Sequence, residues 1–147
     1  MEMLVVIAII SVLTTVTIVS ISGATPQARD AERVTDLAQI QLMLEEYYNS
    51  CRQYPSTLAV TANNGCPTGV SLATFLDPVP QDPVGSGVNY DYEALSSNMA
   101  YLLRARLEQN HHVLASDLTN AQRPAGASLD CDREPHTDDR HDYCVKP

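Results

Sequence analysis

The residues best suited to chemistry lie near the end of the chain, in the stretch DCDREPHTDDRHDYC at positions 130–144. Two cysteines and two histidines of this stretch supply the sulfur and nitrogen donors that zinc prefers. They are Cys131, His136, His141 and Cys144. In an oxidising compartment the two cysteines more simply form a disulfide that closes a surface loop, and the sequence favours this interpretation over a zinc site.

Calcium is the second metal that this stretch suggests, because carboxylate oxygens are the donors that calcium prefers. The candidate ligands are five aspartates, Asp130, Asp132, Asp138, Asp139 and Asp142. Their spacing matches no defined calcium-binding loop, and acidic loops most often form solvated surface. The sequence therefore indicates no required cofactor, and calcium binding by these aspartates is a hypothesis.

The cysteines form an even set of four, and all of them follow the N-terminal apolar segment. They are Cys51, Cys66, Cys131 and Cys144. Such a set favours disulfides and an oxidising compartment, and it allows three pairings that the sequence alone does not distinguish. A bridge between Cys51 and Cys66 would close a loop of about 15 residues and stabilise the fold by about 3 kcal/mol.

The composition disfavours several classes of function. A formal net charge of -9 argues against a nucleic-acid partner, since the phosphate backbone attracts basic surfaces. Charged residues make up 18% of the chain and hydrophobic residues 44%, which indicates a folded chain.

The sequence gives little support for catalysis. His111 and His112 could lie near Asp117, but no nucleophile motif or phosphate-binding loop accompanies them. We therefore predict that the chain is not an enzyme.

The N-terminal segment has no charged residue from Met3 to Ser22. Its length matches the roughly 20 residues that a helix needs to cross the apolar part of a bilayer. In lipid the backbone must satisfy its own hydrogen bonds, so we expect a helix. A cleaved secretory signal is disfavoured, because no basic residue precedes Arg29 and the apolar run is too long. Glu2 stands directly before the run, where a carboxylate suits the positive end of a helix dipole.

A second helical pattern follows an interruption at Gly23, Thr25 and Pro26, where we expect a bend or a loosened turn. One apolar stripe then recurs at spacings of three and four: Val34, Leu37, Ile40, Leu44 and Tyr47. Polar residues mostly occupy the other faces: Asp30, Glu32, Arg33, Asp36, Gln39, Glu45 and Glu46. We predict one long helix with a membrane-spanning and assembly part at 1–25 and an amphipathic continuation at 26–50.

The remaining residues, 51–147, predict a small globular domain with a disulfide-closed loop near the C-terminus. Residues 71–77 are typical of a short helix with a serine N-cap, and three prolines then predict an extended connector. The prolines are Pro78, Pro80 and Pro83. Alternation at 88–93 and at 99–107, with a turn at 96–98 between them, predicts an antiparallel hairpin. One face of the hairpin should pack on the long helix, which gives an α+β fold.

The pattern E-M-L-V-V-I-A-I-I-S-V-L that begins at Glu2 resembles the start of type IV pilins and type II secretion pseudopilins. The motifs YPSTL, F-L-x-x-V-P-Q-D-P, Y-x-Y and Y-L-L-R-A-R-L-E follow in an order similar to that of the major pseudopilin domain, so the resemblance covers residues 2–108. It implies a type IV pilin-like fold and a structural subunit that polymerises through its N-terminal helix. It also implies that Glu2 neutralises the terminal amine of a neighbouring subunit. Some major pseudopilins bind calcium in a C-terminal loop.

The resemblance further implies a homo-oligomer in a helical fibre, with the bacterial inner membrane and the pilus or secretion assembly machinery as partners. The domain would be extracytoplasmic, in the periplasm or in a cell-surface fibre. Family members carry a short basic leader; since Arg29 and Arg33 follow the apolar run here, we expect the chain to begin inside a longer reading frame. The alternative is a single-pass membrane-anchored extracytoplasmic domain that binds a partner without polymerising. Whether a fibre would be a pilus or a pseudopilus stays open.

Overall fold

The computed structural model describes residues 2–85, 90–110, 112–131 and 141–147, with the backbone alone at residues 2, 15–24 and 116. Within these residues the chain forms one long α-helix, three β-strands and three short 3₁₀ turns. In chain order they are α1 (Glu2–Cys51), a 3₁₀ turn (Leu72–Thr74), β1 (Asp91–Leu95), β2 (Ala100–Leu107), two further 3₁₀ turns (His112–Ser116 and Asn120–Gln122) and β3 (His141–Val145). The predicted α+β class with a small antiparallel sheet is confirmed.

Helix α1 contains 50 residues, which corresponds to a length of about 75 Å at 1.5 Å per residue. It continues through Pro26, so the helical backbone has no break in the region where the sequence predicts a bend or a loosened turn. The helix ends in a left-handed cap, because Arg52 has a φ of 59° and its N–H donates to the carbonyl of Tyr48 at 2.8 Å. This bond satisfies one of the last carbonyls of the helix.

The second half of α1 packs on the sheet through the predicted apolar stripe. Most of the stripe is fully buried: Leu37, Ile40, Leu44 and Tyr47. Two charged residues that the sequence places on the other faces, Asp30 and Arg33, are buried instead, with 0% and 1% exposure. They continue the same spacing of three and four toward the N-terminus. The prediction was wrong for these two residues because it restricted the buried stripe to apolar side chains.

The sheet has the order β1-β2-β3 and is antiparallel throughout. The predicted hairpin is confirmed, with Tyr92 of β1 opposite Leu103 of β2. All three residues of its turn, Ser96, Ser97 and Asn98, have positive φ. The first strand begins at Asp91, whereas the predicted alternation starts at residue 88, which lies outside the described residues. Tyr92 and Leu103 belong to the face that packs on α1.

Strand β3 was not predicted, because the sequence analysis treats this stretch as part of a loop. It pairs with β2, which makes β2 the central strand, and it places Tyr143 opposite Ala105. Tyr143 belongs to the face that packs on α1, whereas Cys144 lies on the opposite face beside Leu102. The sheet is therefore covered on both faces, by α1 on one side and by the segment leading to Cys131 on the other.

The short helix predicted at 71–77 is a 3₁₀ turn of three residues, Leu72–Thr74, preceded by Ser71 as the N-cap residue. A longer helix is disfavoured here because Pro78 restricts the residue before it to extended conformations. The chain then continues as the proline-rich connector that the sequence predicts. This connector carries Asp82 to the side of α1.

Candidate functional site

Among the described residues, a large apolar surface lies on the first part of α1, residues 3–14, which we call the bare segment. Nine of its large apolar side chains are between 52% and 82% exposed. They are Met3, Leu4, Val5, Val6, Ile7, Ile9, Ile10, Val12 and Leu13. Contiguous apolar surface of this extent normally marks a site that is covered by lipid or by protein.

The polar groups of the bare segment are satisfied within the helix itself. The hydroxyl of Ser11 donates to the carbonyl of Ile7, and that of Thr14 donates to the carbonyl of Ile10, both at 2.7 Å. A hydroxyl bonded to the preceding turn presents mainly carbon to its surroundings. The bare segment can therefore be transferred into an apolar environment without leaving these hydroxyls unpaired.

Two sequence predictions for this end of the chain stay predictions. Within the part of the chain that the structure describes, no helix combines the length and the apolar character needed to cross a membrane. Glu2 is the first residue of α1, but its side chain lies outside the described residues. Its pairing with a neighbouring amine is therefore an expectation from the sequence.

A network of charged side chains, which we call the collar, ties α1 to the domain a few turns after the bare segment. Its members are Arg29, Asp30, Arg33, Asp82 and Glu108. The guanidinium of Arg33 lies 2.8 Å from Asp30 and 2.7 Å from Asp82. It also lies 2.9 Å from Glu108, which in addition accepts two hydrogen bonds from Arg29. Arginine suits this position because its planar fork can donate to several carboxylates at once.

Asp30 forms the second centre of the collar. Its two carboxylate oxygens accept the backbone N–H groups of Glu108 and Gln109, both at 2.9 Å, directly after β2 has ended. The collar thus joins three segments that are distant in sequence: α1, the proline-rich connector through Asp82, and the end of β2. Each of these carboxylates is bonded to N–H donors, so the buried charges are compensated.

The pKa values of Glu108, Asp82 and Arg33 favour the charged forms of these three residues. The hydrogen bond from Arg29 lowers the pKa of Glu108, burial opposes this effect, and Arg33 lowers it further, so that the pKa is about 2. Burial acts to raise the pKa of Asp82, but hydrogen bonds from Arg33 and from the N–H of Val84 outweigh it, and the pKa lies below its ordinary value. Burial acts to lower the pKa of Arg33, but its carboxylate partners raise it overall. Glu108, Asp82 and Arg33 are therefore ionised at neutral pH.

Each disulfide joins one cysteine to the next cysteine along the chain. One links Cys51 to Cys66 and the other links Cys131 to Cys144, with separations of 15 and 13 residues. The presence of disulfides is confirmed, and the structure selects one of the three pairings that the sequence allows. The zinc alternative is wrong, because the disulfide removes the two thiolates that the site would need. His141 lies in β3, and His136 is outside the described residues.

The structure describes two of the five aspartates that are candidate calcium ligands. Three of them, Asp132, Asp138 and Asp139, lie outside the described residues. Asp130 accepts a hydrogen bond from Asn120 at 2.6 Å, and buried Asp142 lies 3.2 Å from the guanidinium of Arg104. In the described ranges, no three acidic, cysteine or histidine side chains form a group that could hold a metal ion. Calcium binding stays a hypothesis.

A groove of about 510 Å³ lies between the disulfide loop and the proline-rich connector. Residues 57–60 and 78–81 form its walls, and Tyr90 and Tyr92 complete the lining. The tyrosine hydroxyls are engaged elsewhere: Tyr90 donates to Asp36 at 2.5 Å, and Tyr92 donates to a backbone carbonyl at 2.6 Å. The described lining residues carry no charge, so the groove suits an uncharged ligand.

Fold and site together define a general class of protein: a small α+β domain held on one long helix whose first part is apolar and uncovered. Comparison with known protein families, with curated proteins and with solved structures finds no significant match to this chain. The resemblance to type IV pilins therefore rests on the sequence patterns, and the functions that it implies belong to the proposals that follow.

Proposed function

We propose that the chain is a structural subunit that polymerises through the apolar part of α1, in the manner of type IV pilins and type II secretion pseudopilins. The observation that supports the proposal is the bare segment, in which nine large apolar side chains on one helix are more than half exposed. Exposure of so much apolar surface to water is unfavourable, so another molecule should cover it. Copies of the same helix, packed side by side in a fibre, are the cover that we propose.

Before assembly, the predicted membrane-spanning part of α1 at 1–25, which includes the bare segment, would anchor the subunit in the bacterial inner membrane, with the domain on the extracytoplasmic side. Lipid and a bundle of neighbouring helices are similar environments, because both require the backbone to satisfy its own hydrogen bonds. The hydroxyls of Ser11 and Thr14 meet this requirement through their bonds to the preceding turn. Transfer from the membrane to the fibre, driven by the assembly machinery, would then exchange one apolar cover for another.

Glu2 would provide the specificity that an apolar surface lacks. A carboxylate in an apolar bundle costs several kcal/mol unless it is paired. Pairing with the terminal amine of a neighbouring subunit would remove this cost in one relative position of the two helices. The charge would therefore select the axial register of adjacent subunits.

The test compares two glutamate substitutions on the same helix in the full-length protein. Glu2→Ala should leave insertion into the membrane intact but abolish incorporation into filaments. Glu46→Ala is the matched control, since Glu46 is an exposed glutamate on the domain-bound half of α1 and should incorporate normally. Membrane fractions and sheared filaments are probed for the protein in each strain. Normal incorporation of Glu2→Ala would contradict the proposal.

A second candidate is a membrane-anchored extracytoplasmic domain that binds a partner and does not polymerise. The observation that favours it is the uncharged groove of about 510 Å³, a volume typical of ligand sites. The two candidates differ in where the wild-type protein is found. Recovery of the wild-type chain in membranes only, with none in sheared filaments, would favour the binding domain.

A further inference from the structure

Helix α1 is attached to the domain at two separated points. At its end, Cys51 is bonded covalently to Cys66. Nearer the bare segment, the collar holds the helix through Asp30 and Arg33. The distance along the helix from Arg33 to Cys51 is about 27 Å at 1.5 Å per residue. Apolar side chains make most of the contact between these two points, with hydrogen bonds at Asp36, which accepts from Tyr90, and at Tyr47, which donates to Asn64.

The two attachments and the apolar contact constrain the helix differently. Apolar packing has little directionality, and packed helices can exchange between arrangements one turn apart, about 5.4 Å. The covalent bond at Cys51 fixes one end of the helix and leaves the other end able to pivot about it. The collar restrains this freedom at the point farthest from Cys51, because Arg33 is bonded at once to the connector and to Glu108, the residue after β2.

Burial makes the collar selective for one position of the helix. Arg33 is 1% exposed and Asp82 is 7% exposed, so a small turn or slide of the helix would separate the two charges while the surrounding residues still shield them from water. A buried charge that loses its partner is strongly unfavourable, whereas a buried ion pair often stabilises no better than apolar residues of the same size. The best-attested use of such a network is to specify register.

We infer that the collar sets the direction in which the bare segment leaves the domain, and that Arg33 is a positioning residue for assembly. This inference rests on the proposed function, because direction matters when neighbouring subunits must pack their helices alike. With the collar intact, each subunit presents its domain at the same angle to the fibre axis. Without it, the domain stays folded on its apolar core but varies in angle.

The first measurement is amide hydrogen exchange, read by NMR on the full chain in detergent micelles with its disulfides intact. In Arg33→Met, the N–H groups of Glu108 and Gln109, which donate to Asp30, should exchange about tenfold faster or more. Glu108→Gln, which removes one carboxylate at a less buried position, is the second variant in case the first does not fold. Ile40→Val is the control, because it weakens the apolar core without touching the collar.

The second measurement is the rise and twist of filaments from cells that express each variant, determined by electron microscopy. Collar variants should give filaments with altered or irregular twist, whereas Ile40→Val should keep the wild-type values. Unchanged exchange at the two N–H groups in the collar variants, or faster exchange with wild-type twist, would overturn the inference. If the wild-type chain forms no filaments, the proposed function fails, and the positioning role in assembly fails with it.

Discussion

Acid unfolding tests the collar quantitatively, because Glu108 titrates far from its ordinary range. Hydrogen bonding by Arg29, helped by Arg33, lowers its pKa from 4.5 to about 2. A carboxyl whose pKa is lower in the folded state stabilises the fold above its unfolded pKa, and this contribution is lost as the pH falls toward the folded pKa. We therefore expect Glu108 to stabilise the domain at neutral pH and to lose this effect between about pH 5 and pH 2.

The size of the effect follows from the shift and from the exposure of the pair. At about 1.4 kcal/mol for each pKa unit, a shift from 4.5 to about 2 corresponds to about 3 kcal/mol. The side chains of Glu108 and Arg29 remain 19% and 29% exposed, so water screens part of their interaction. We therefore expect about 1–2 kcal/mol of pH-dependent stability from Glu108.

The assay is urea unfolding of the full chain in detergent, with the disulfides intact, from about pH 6.5 to about pH 2.5. Near-UV circular dichroism of the tyrosines reports the unfolding of the domain. The wild-type protein should lose about 1–2 kcal/mol more over this range than Glu108→Gln does. Asp82 keeps its bonds to Arg33 and Val84 in both proteins, so its lowered pKa affects both curves; the Glu108 charge, which acts to raise the pKa of Asp82, is present only in the wild type. Parallel curves for the two proteins would refute the reasoning.

Three further predictions concern the core and the disulfide loop. Tyr47→Phe removes a hydroxyl that donates to the carbonyl of Asn64 at 2.9 Å, and it should lower the free energy of unfolding by about 1 kcal/mol; an unchanged urea midpoint would contradict this. Replacing both Cys51 and Cys66 by Ser removes a bridge with a separation of 15 residues and should lower the free energy of unfolding by about 3 kcal/mol. The reference is the wild-type protein without reductant, and equal stability would contradict the prediction by showing that the loop is ordered without the bridge. Leu44→Ala leaves a cavity at a fully buried site and should cost about 2–5 kcal/mol in the same assay, and a loss below 1 kcal/mol would mean that the core collapses around the site.

The long helix was predictable because two signals in the sequence indicate it. The run without charge indicates a helix in an apolar environment, and the spacing of three and four identifies the face that packs on the sheet. The same spacing extends to Asp30 and Arg33, so their burial could have been found by asking which charged residues share the positions of the stripe. Apolar patterning alone misses them, because it assigns every charge to the surface.

The residues that pair with Arg33 in the collar were not predictable from local sequence patterns. Arg33 and Asp82 are 49 residues apart in sequence, and the chain has 18 acidic residues that could pair with an arginine. Strand β3 was missed for a similar reason, since its five residues, one of them an aspartate, are too few to show a clear alternation of polar and apolar side chains. Its pairing with β2 depends on contacts that form only when the sheet assembles.

The collar also explains why buried charge lies at this place on the helix and not within the bare segment. If the chain polymerises as proposed, the bare segment leaves one apolar environment for another, and each unpaired charge within it would oppose both states. Directional contacts for orienting the domain must therefore lie beyond the apolar residues, on a part of the helix that stays with its own subunit. Asp30 and Arg33 meet both conditions, because their partners lie within the same chain and are already bonded before any neighbour is present. A subunit held in this way would arrive at a fibre with its orientation determined, and its assembly would require only the pairing of apolar helices and of Glu2.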